Sequence, residues 1–204
     1  MIYDITPLIS DKIKVWPGDT SPSRDILCDL QKGDNITLSS LHTTVHLGAH
    51  ADAPNHYSAQ GIDIATRSLD YYLGTCQVVK VKAVRGQQIL PTQIHVPIQA
   101  KRILFSTNTY PNPNLFNLDF AALSPELIEM LHKQGVITVG IDTPSIDLFA
   151  SKDLPSHQAI FYYDMAVLEG LVLENVPEGC YELIALPLKL KDFDASPVRA
   201  ILRD

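Results

Sequence analysis

The sequence predicts a single α/β domain in which strands outnumber helices. Its 204 residues match the size of one domain, and 46% of them are hydrophobic, which is enough to build a core. Segments of β-favouring residues dominate the first half of the chain, and a helix followed directly by an apolar strand comes later. Because no internal repeat or low-complexity linker interrupts the chain, we predict one domain over residues 1–204.

The first half of the chain predicts three strands and a loop. Thr37–Val45 is rich in β-favouring residues, and Thr75–Val84 alternates imperfectly between apolar and polar residues. Arg102–Thr107 is a short apolar run of the kind found in interior strands. Pro111–Asn117 contains two prolines and three asparagines, so it is predicted to be a loop.

The clearest helix signal begins at Ser124, which can cap the helix, and Pro125 suits the first turn. Gly135 ends the helix after Lys133. The strand predicted next, Val136–Ile141, leads into Asp142 and other polar residues at its carboxyl end, where sites of α/β proteins often lie. Further predicted elements are a second helix capped by Ser156 and running to about Tyr163, and closing strands at Tyr181–Lys189 and Pro197–Arg203.

Composition excludes several classes of function. The net charge is −7 with no basic block, so nucleic acid is not an expected partner. Three widely separated cysteines (Cys28, Cys76 and Cys180) predict free thiols in a reducing compartment and lack the paired spacing of a structural zinc site. The start of the chain lacks the pattern of a signal peptide, and no run approaches the ~18 apolar residues of a membrane span. These features predict a cytoplasmic protein that does not associate with membranes.

The segment from His46 to His56 is the strongest functional signal. It places three of the seven histidines and one aspartate on alternate positions, in the pattern H-x-G-x-H-x-D-x-P-x-H. Imidazole nitrogens and carboxylate oxygens are the ligands that zinc and similar divalent metals prefer. Because Gly48 and Pro54 lie among these residues, the segment is predicted to be a bent, rigid loop rather than regular structure.

The spacing of the motif requires a bend if its histidines are to share a metal. In a straight strand the Cα atoms of His46 and His50 would lie about 13 Å apart. A bend at Gly48 would bring both rings together with Asp52 close behind. These three ligands would leave coordination positions open, which is typical of catalytic sites. His56 is either a further ligand or a general acid/base. The alternative, that these histidines are ordinary surface or capped residues, is disfavoured by the array as a whole.

Two later residues are candidates without a decisive context. Glu169 interrupts the apolar run Met165–Leu173, where a buried carboxylate needs a partner or a cation. A glutamate at a strand edge that faces solvent is an equally acceptable interpretation. His157 has no distinguishing neighbours in the sequence. The remaining histidines, His42, His95 and His132, are not assigned to the site.

At several separate segments the chain resembles the metal-dependent cyclase-like hydrolases, and within them the kynurenine formamidase (arylformamidase) branch. VWPGDT at 15–20 and DASPVRA at 194–200 are more specific to that branch than the histidine motif, which the wider family shares. The matching segments occur in order from one end of the chain to the other. They are residues 4–7, 15–20, 46–57, 140–145, 168–173, 181–188 and 194–199.

The resemblance implies a site with two divalent metal ions per chain, with zinc as the expected metal. His46, His50 and Asp52 would bind the first ion and His157 the second, while Asp52 and Glu169 would bridge both. The family commonly has two adjacent histidines where this chain has His157 followed by glutamine. The first of that pair is the expected ligand, so the ligand is retained and its local hydrogen bonds are expected to differ.

The resemblance also implies hydrolysis of N-formyl-L-kynurenine to L-kynurenine and formate by a metal-activated water, a step in tryptophan breakdown. His56 would act as proton donor and acceptor, and Trp16 would contact the aromatic substrate, although core packing is an equally good interpretation of this tryptophan. A swivelling β/β/α fold and a homodimer are further expectations. The alternatives are a hydrolase of the same family acting on another amide or cyclic substrate, and a non-catalytic metal-binding or regulatory protein, against which the presence of His56 argues.

Overall fold

A nine-stranded mixed sheet forms the centre of the fold in the computed structural model, which describes residues 1–204. The helices are α1 (Pro125–Lys133) and α2 (Pro155–Tyr162), with short 3-10 turns at Leu30–Lys32, Pro54–His56, Leu69–Tyr71 and Pro91–Gln93. The strands are β1 (Ile2–Asp4), β2 (Ser23–Cys28), β3 (Leu38–His42), β4 (His50–Asp52), β5 (Leu73–Lys80), β6 (Gln88–Ile89), β7 (Arg102–Ser106), β8 (Ala122–Leu123), β9 (Thr138–Ile141), β10 (Ala166–Glu169), β11 (Gly179–Ile184), β12 (Ala195–Pro197) and β13 (Ile201–Arg203).

The large sheet has a parallel centre and antiparallel flanks. Its strand order is β1-β13-β11-β5-β7-β9-β10-β4-β12, and neighbouring strands from β5 to β10 in this order run parallel. Every residue of β7 is buried, with Leu104 in one hydrophobic cluster and Ile103 and Phe105 in the other, so both faces of the sheet are covered. The predicted α/β class, with strands more numerous than helices, is confirmed.

Helix α1 begins and ends as its sequence predicts. The Ser124 hydroxyl oxygen accepts a hydrogen bond from the Leu127 N–H at 3.1 Å, and Pro125 occupies the first turn. Gly135 follows the helix in the left-handed region, with φ of +82°. Leu127, Ile128 and Leu131 form the buried stripe that packs onto the sheet.

The prediction that Ser156 caps the second helix is wrong. Leu154 precedes α2 with φ of +45°, and the Ser156 hydroxyl donates instead to the Leu123 carbonyl oxygen at 2.7 Å. The helix N-terminus is capped from a distance by Asp147, whose carboxylate accepts hydrogen bonds from the N–H groups of Ser156 and His157, each at 3.0 Å. A side chain brought by the tertiary fold has replaced the local cap.

The closing segment is two strands rather than the single strand predicted over Pro197–Arg203. Residues Ala195–Pro197 (β12) pair with β4, whereas Ile201–Arg203 (β13) pairs with β11 and β1 at the other edge of the sheet. The chain must therefore leave one edge and reach the other between Val198 and Ala200. The predicted strand Tyr181–Lys189 likewise ends early, at Ile184.

The histidine segment is more regular than the loop that the sequence predicts. Gly48 does bend the chain, with φ of +56°, but His50–Asp52 then forms strand β4 within the large sheet. The reason is an alternation that the histidines obscure. Ala49, Ala51 and Ala53 are all buried in the hydrophobic core, so the segment has the period of two of a strand with one apolar face.

Strands β2 and β3 form a separate antiparallel hairpin that includes part of the predicted strand Thr37–Val45. Almost all of its residues are exposed, including Leu27, Leu38 and Leu41.

The three cysteines carry no disulfide, and Cys76 alone of them is buried. Neither helix has the length or apolar character needed to cross a membrane.

Candidate metal centre

The register of the large sheet brings three of the predicted ligands onto one face. His50 and Asp52 are two residues apart on β4, so their side chains lie on the same side of the strand. Glu169 pairs directly with His50 across the antiparallel contact between β4 and β10. All three side chains are buried, so the interpretation of Glu169 as a solvent-facing residue is wrong.

The bend at Gly48 brings the first histidine to the same place. The ring centroids of His46 and His50 lie 5.1 Å apart. His50 Nδ1 lies 2.9 Å from the carbonyl oxygen of Gly48 and donates to it, which directs Nε2 towards the carboxylates. A Cβ atom at Gly170, where φ is +65°, would overlap the same Gly48 carbonyl, so the close approach of these two loops requires glycine.

Each of the two carboxylates presents its oxygens to histidines on two different sides. Asp52 Oδ1 lies 3.0 Å from His46 Nδ1 and 3.4 Å from His50 Nε2, while Oδ2 lies 3.4 Å from His157 Nε2. Glu169 repeats the division, because Oε2 lies 3.4 Å from His50 Nε2 and Oε1 lies 3.4 Å from His157 Nε2. The donor atoms are thus divided between two positions that share both carboxylates.

These donor atoms fit a divalent metal. The Asp52 carboxylate oxygens and His157 Nε2 are buried and have no hydrogen-bond partner, since the close approach of His46 to Asp52 lacks hydrogen-bond geometry. A buried ionised carboxylate without hydrogen bonds is costly unless a cation compensates it. Two ligands of one tetrahedral zinc ion lie about 3.3 Å apart, given bonds of about 2.0–2.1 Å, and this is close to the separations seen here.

The pKa values reflect a site that holds positive charge. Burial lowers the pKa of His46, but Asp52 and Asp194 outweigh this effect and raise it to about 10. Burial likewise opposes the charged forms of Asp52 and His157. The charge of His46 and the contact with His157 nevertheless lower the pKa of Asp52, and the contacts with Asp147, Asp52 and Glu169 raise that of His157. Positive charge beside the buried carboxylates is thus favourable, and a bound metal cation would supply such charge.

His157 is oriented by a carboxylate that the sequence analysis did not identify. Asp147 accepts a hydrogen bond from His157 Nδ1 at 2.7 Å, in addition to the two backbone N–H groups at the start of α2. This contact directs Nε2 of the ring towards Asp52 and Glu169. Such carboxylate–histidine pairs fix the tautomer and orientation of metal-binding imidazoles.

Replacing Asp147 with alanine should weaken metal binding by roughly 10- to 100-fold, the usual effect of removing a partner of a metal-binding histidine. Titration of the metal-free protein with zinc against a chromophoric chelator would measure the change. Asp153→Ala is the matched control, since Asp153 is an exposed aspartate just before α2. Equal zinc affinity in the two variants would contradict the orienting role of Asp147.

His56 lies beside the carboxylates on the 3-10 turn Pro54–His56. Its ring centroid is 4.2 Å from that of His46, and its Nδ1 lies 3.4 Å from Asp194 Oδ2. Burial lowers the pKa of His56, which favours a neutral ring. Donor atoms of His46, Asp52 and His56 lie within 4.8 Å of one another, so the geometry allows His56 to be a ligand as well as a proton carrier.

A cavity of about 590 Å³ opens above these residues. Its walls include Trp16, Tyr110 and Phe116, and its lining includes all four histidines of the site. Trp16 is 36% exposed and packs against Phe149 and Phe116 at centroid distances of 5.0 and 5.6 Å. The tryptophan is therefore both a packed side chain and part of the cavity wall, so the structure combines the two interpretations of this residue.

Three acidic residues near the site were missed as functional candidates. Asp147 and Asp194 contact the histidines directly, and Asp142 lies in the cavity wall, where it accepts hydrogen bonds from the N–H groups of Thr107 and Asn108. Burial raises the pKa of Asp142. The available signals were weak: Asp142 ends a predicted strand, and Asp194 begins the segment DASPVRA.

Gln158, the departure from the family pattern, donates to the Tyr57 carbonyl oxygen at 2.9 Å.

The fold and the donor set define a class of protein, the metal-dependent hydrolases. The chain belongs to the Cyclase family, whose profile, described as "Putative cyclase", matches residues 3–148. Solved structures that match the chain along almost its whole length are described as metal-dependent hydrolases, which supports a hydrolytic enzyme that uses a divalent metal.

Three solved structures illustrate the similarity. A "potential metal-dependent hydrolase with cyclase activity" is 30% identical with a TM-score of 0.86, and the alignment covers 99% of this chain and 96% of that one. A "predicted metal-dependent hydrolase" from Bacillus stearothermophilus is also 30% identical, with a TM-score of 0.84 and coverage of 99% and 97%. Isatin hydrolase A from Labrenzia aggregata shares the fold at 20% identity, with a TM-score of 0.84 and coverage of 99% and 93%.

Proposed function

We propose that this chain is an arylformamidase that hydrolyses N-formyl-L-kynurenine to L-kynurenine and formate with two divalent metal ions. The observation that carries the proposal is the division of the Asp52 and Glu169 oxygens between two groups of histidines beneath a cavity with aromatic walls. The resemblance of the segments at 15–20 and 194–200 to the formamidase branch favours this substrate over other amides.

The contacts already described support the proposed metal ligands. His46 and His50 would hold one ion and His157 the other, with Asp52 and Glu169 shared between them. When bound, such ions supply a Lewis acid for a carbonyl oxygen and activate water at neutral pH. Zinc is the proposed metal because it accepts nitrogen and carboxylate ligands with coordination positions left open.

His56 is the residue proposed to move the proton. It lines the cavity beside the ligands, and burial favours its neutral form, in which one ring nitrogen can accept a proton. Hydrolysis of an aryl formamide requires a proton on the nitrogen of the departing amine. An imidazole that takes a proton from water and passes it to that nitrogen meets the requirement.

A substrate comparison tests the proposal. Zinc-loaded protein should release formate from N-formyl-L-kynurenine with a higher kcat/KM than from a small non-aromatic formamide, and it should do so faster than it opens the ring of isatin. Chelated protein is the control and should be inactive until zinc is restored. Efficient hydrolysis of isatin without formate release from N-formyl-L-kynurenine would overturn the assignment.

Trp16→Ala should raise the KM for N-formyl-L-kynurenine by roughly three- to tenfold, the effect of losing one aromatic pair. Its effect on a small non-aromatic formamide should be slight, because that substrate does not use the ring. Steady-state kinetics on both substrates would measure the difference, with Trp16→Phe as a control that keeps an aromatic ring. An unchanged KM would place the aryl group elsewhere in the cavity, and loss of folding would make Trp16 a core residue only.

A homodimer is part of the proposal. An isolated two-stranded hairpin is at best marginally stable in water, yet the hairpin of β2 and β3 exposes Leu27, Leu38 and Leu41. A second copy of the chain packed against the face of the hairpin that carries Ile26 and Leu41 would bury these two exposed side chains. Sedimentation analysis should show a dimer that Leu41→Asp weakens, and a wild-type monomer at all concentrations would contradict it.

A further inference from the structure

One carboxylate outside the proposed ligand set contacts two histidines of the site at once. Asp194 Oδ2 lies 2.9 Å from His46 Nε2 and 3.4 Å from His56 Nδ1. His46 is a proposed metal ligand and His56 the proposed proton carrier. Asp194 therefore links the two parts of the site that bind metal and transfer protons.

The sheet holds Asp194 in this position. The next residue, Ala195, pairs with Asp52 in the antiparallel contact between β12 and β4. Next to this pair, the N–H of Ala53, which follows Asp52, donates to the Asp194 carbonyl oxygen at 2.8 Å. The carboxylate is thus carried by the strand beside the one that holds His50 and Asp52, and its distance from the histidines is set by backbone pairing.

The contact with His46 determines which nitrogen of that ring is available. Nε2 donates to Asp194, so in the neutral ring that a metal requires the lone pair lies on Nδ1, which is 3.0 Å from Asp52 Oδ1. That is the nitrogen directed at the shared carboxylate and hence at the proposed metal position. A carboxylate partner on the far side of a ligating imidazole orients the ring and strengthens it as a ligand.

The contact with His56 has a parallel consequence. The Asp194 carboxylate 3.4 Å from Nδ1 favours electrostatically the neutral tautomer that carries its proton on Nδ1, and in that tautomer the lone pair lies on Nε2. This nitrogen is then the one available to exchange a proton with a molecule in the cavity that His56 lines. A base whose ring is held by a third group is the usual arrangement for proton transfer in enzymes.

We propose that Asp194 is a positioning residue that orients both His46 for metal binding and His56 for proton transfer. Asp194 does not line the cavity, so it acts through the two histidines that do. The part of this inference that concerns turnover rests on the proposed function, whereas the part that concerns metal binding does not.

The test uses Asp194→Asn in the full-length protein. Zinc affinity, measured by competition with a chromophoric chelator, should fall by roughly 10- to 100-fold. At saturating zinc, kcat for N-formyl-L-kynurenine should fall by at least about tenfold while KM stays within about twofold. Asp192→Asn is the matched control: it removes an exposed carboxylate two residues away, at a positive φ that asparagine tolerates, and should behave like the wild type.

The effect on kcat should pass through His56, and a double variant tests this directly. In a His56→Ala background, Asp194→Asn should still weaken zinc binding but should lower kcat no further. Asp194→Ser, which removes the carboxylate without adding an amide, should give the same pattern.

Two results would overturn the proposal: zinc affinity equal to that of Asp192→Asn, or an undiminished loss of kcat in the His56→Ala background. The zinc titration needs no substrate, so it still decides the metal-binding part if N-formyl-L-kynurenine proves not to be hydrolysed.

Discussion

His50→Ala should lose metal and hydrolytic activity together. His50 Nε2 is 3.4 Å from an oxygen of Asp52 and from an oxygen of Glu169, so this one imidazole contacts both buried carboxylates. Its removal leaves two buried carboxylates with less compensating charge. We expect the metal content of the purified variant to fall well below that of the wild type, with hydrolysis near background.

His95→Ala is the control for His50→Ala, because it removes an exposed imidazole that does not line the cavity. Elemental analysis and a formate-release assay on the same samples make the comparison. A His50→Ala protein with the full metal content would show that the cation is held elsewhere.

His56→Ala should separate metal binding from hydrolytic activity. The variant is expected to keep its metal and lose activity by roughly a hundredfold or more, the usual contribution of a general acid/base. In the wild type, the donor atoms of His56 lie close enough to those of His46 and Asp52 for a ligand role. The metal content of the variant therefore distinguishes a ligand from a proton carrier. Loss of metal would make His56 a ligand, and normal turnover would remove it from the mechanism.

Elements whose causes are local could be predicted from the sequence. Helix α1 begins and ends where Ser124, Pro125 and Gly135 indicate, because capping and left-handed backbone depend on the residues themselves. The buried strand β7 follows from a short apolar run. The bend at Gly48 was also predictable, since two histidines four residues apart cannot otherwise share an ion.

Elements that depend on residues distant in the chain could not be predicted from the sequence. Strand β4 depends on β10 and β12 pairing on either side of it, and the break between β12 and β13 depends on a change of sheet edge. The cap of α2 comes from Asp147, which is eight or more residues away in sequence from the N–H groups it accepts. Short-range patterns carry no information on such contacts.

The candidate site shows the same division. The spacing of His46, His50 and Asp52 identifies a metal motif by itself. The position of Glu169 opposite His50 is a matter of strand register, which the sequence left open between a buried and a solvent-facing role. Asp147 and Asp194 act through the histidines that they contact, so their functional role could be identified only from the fold, although Asp194 begins the segment DASPVRA.

Metal stoichiometry tests most directly whether Asp52 and Glu169 are shared between two ions. Elemental analysis of zinc-loaded wild-type protein should give about two ions per chain, because the donor atoms divide into two groups with open positions. Glu169→Ala should lower this number. A wild-type zinc content that never exceeds one ion per chain, together with the same zinc content in Glu169→Ala, would contradict the model of two ions bridged by Asp52 and Glu169.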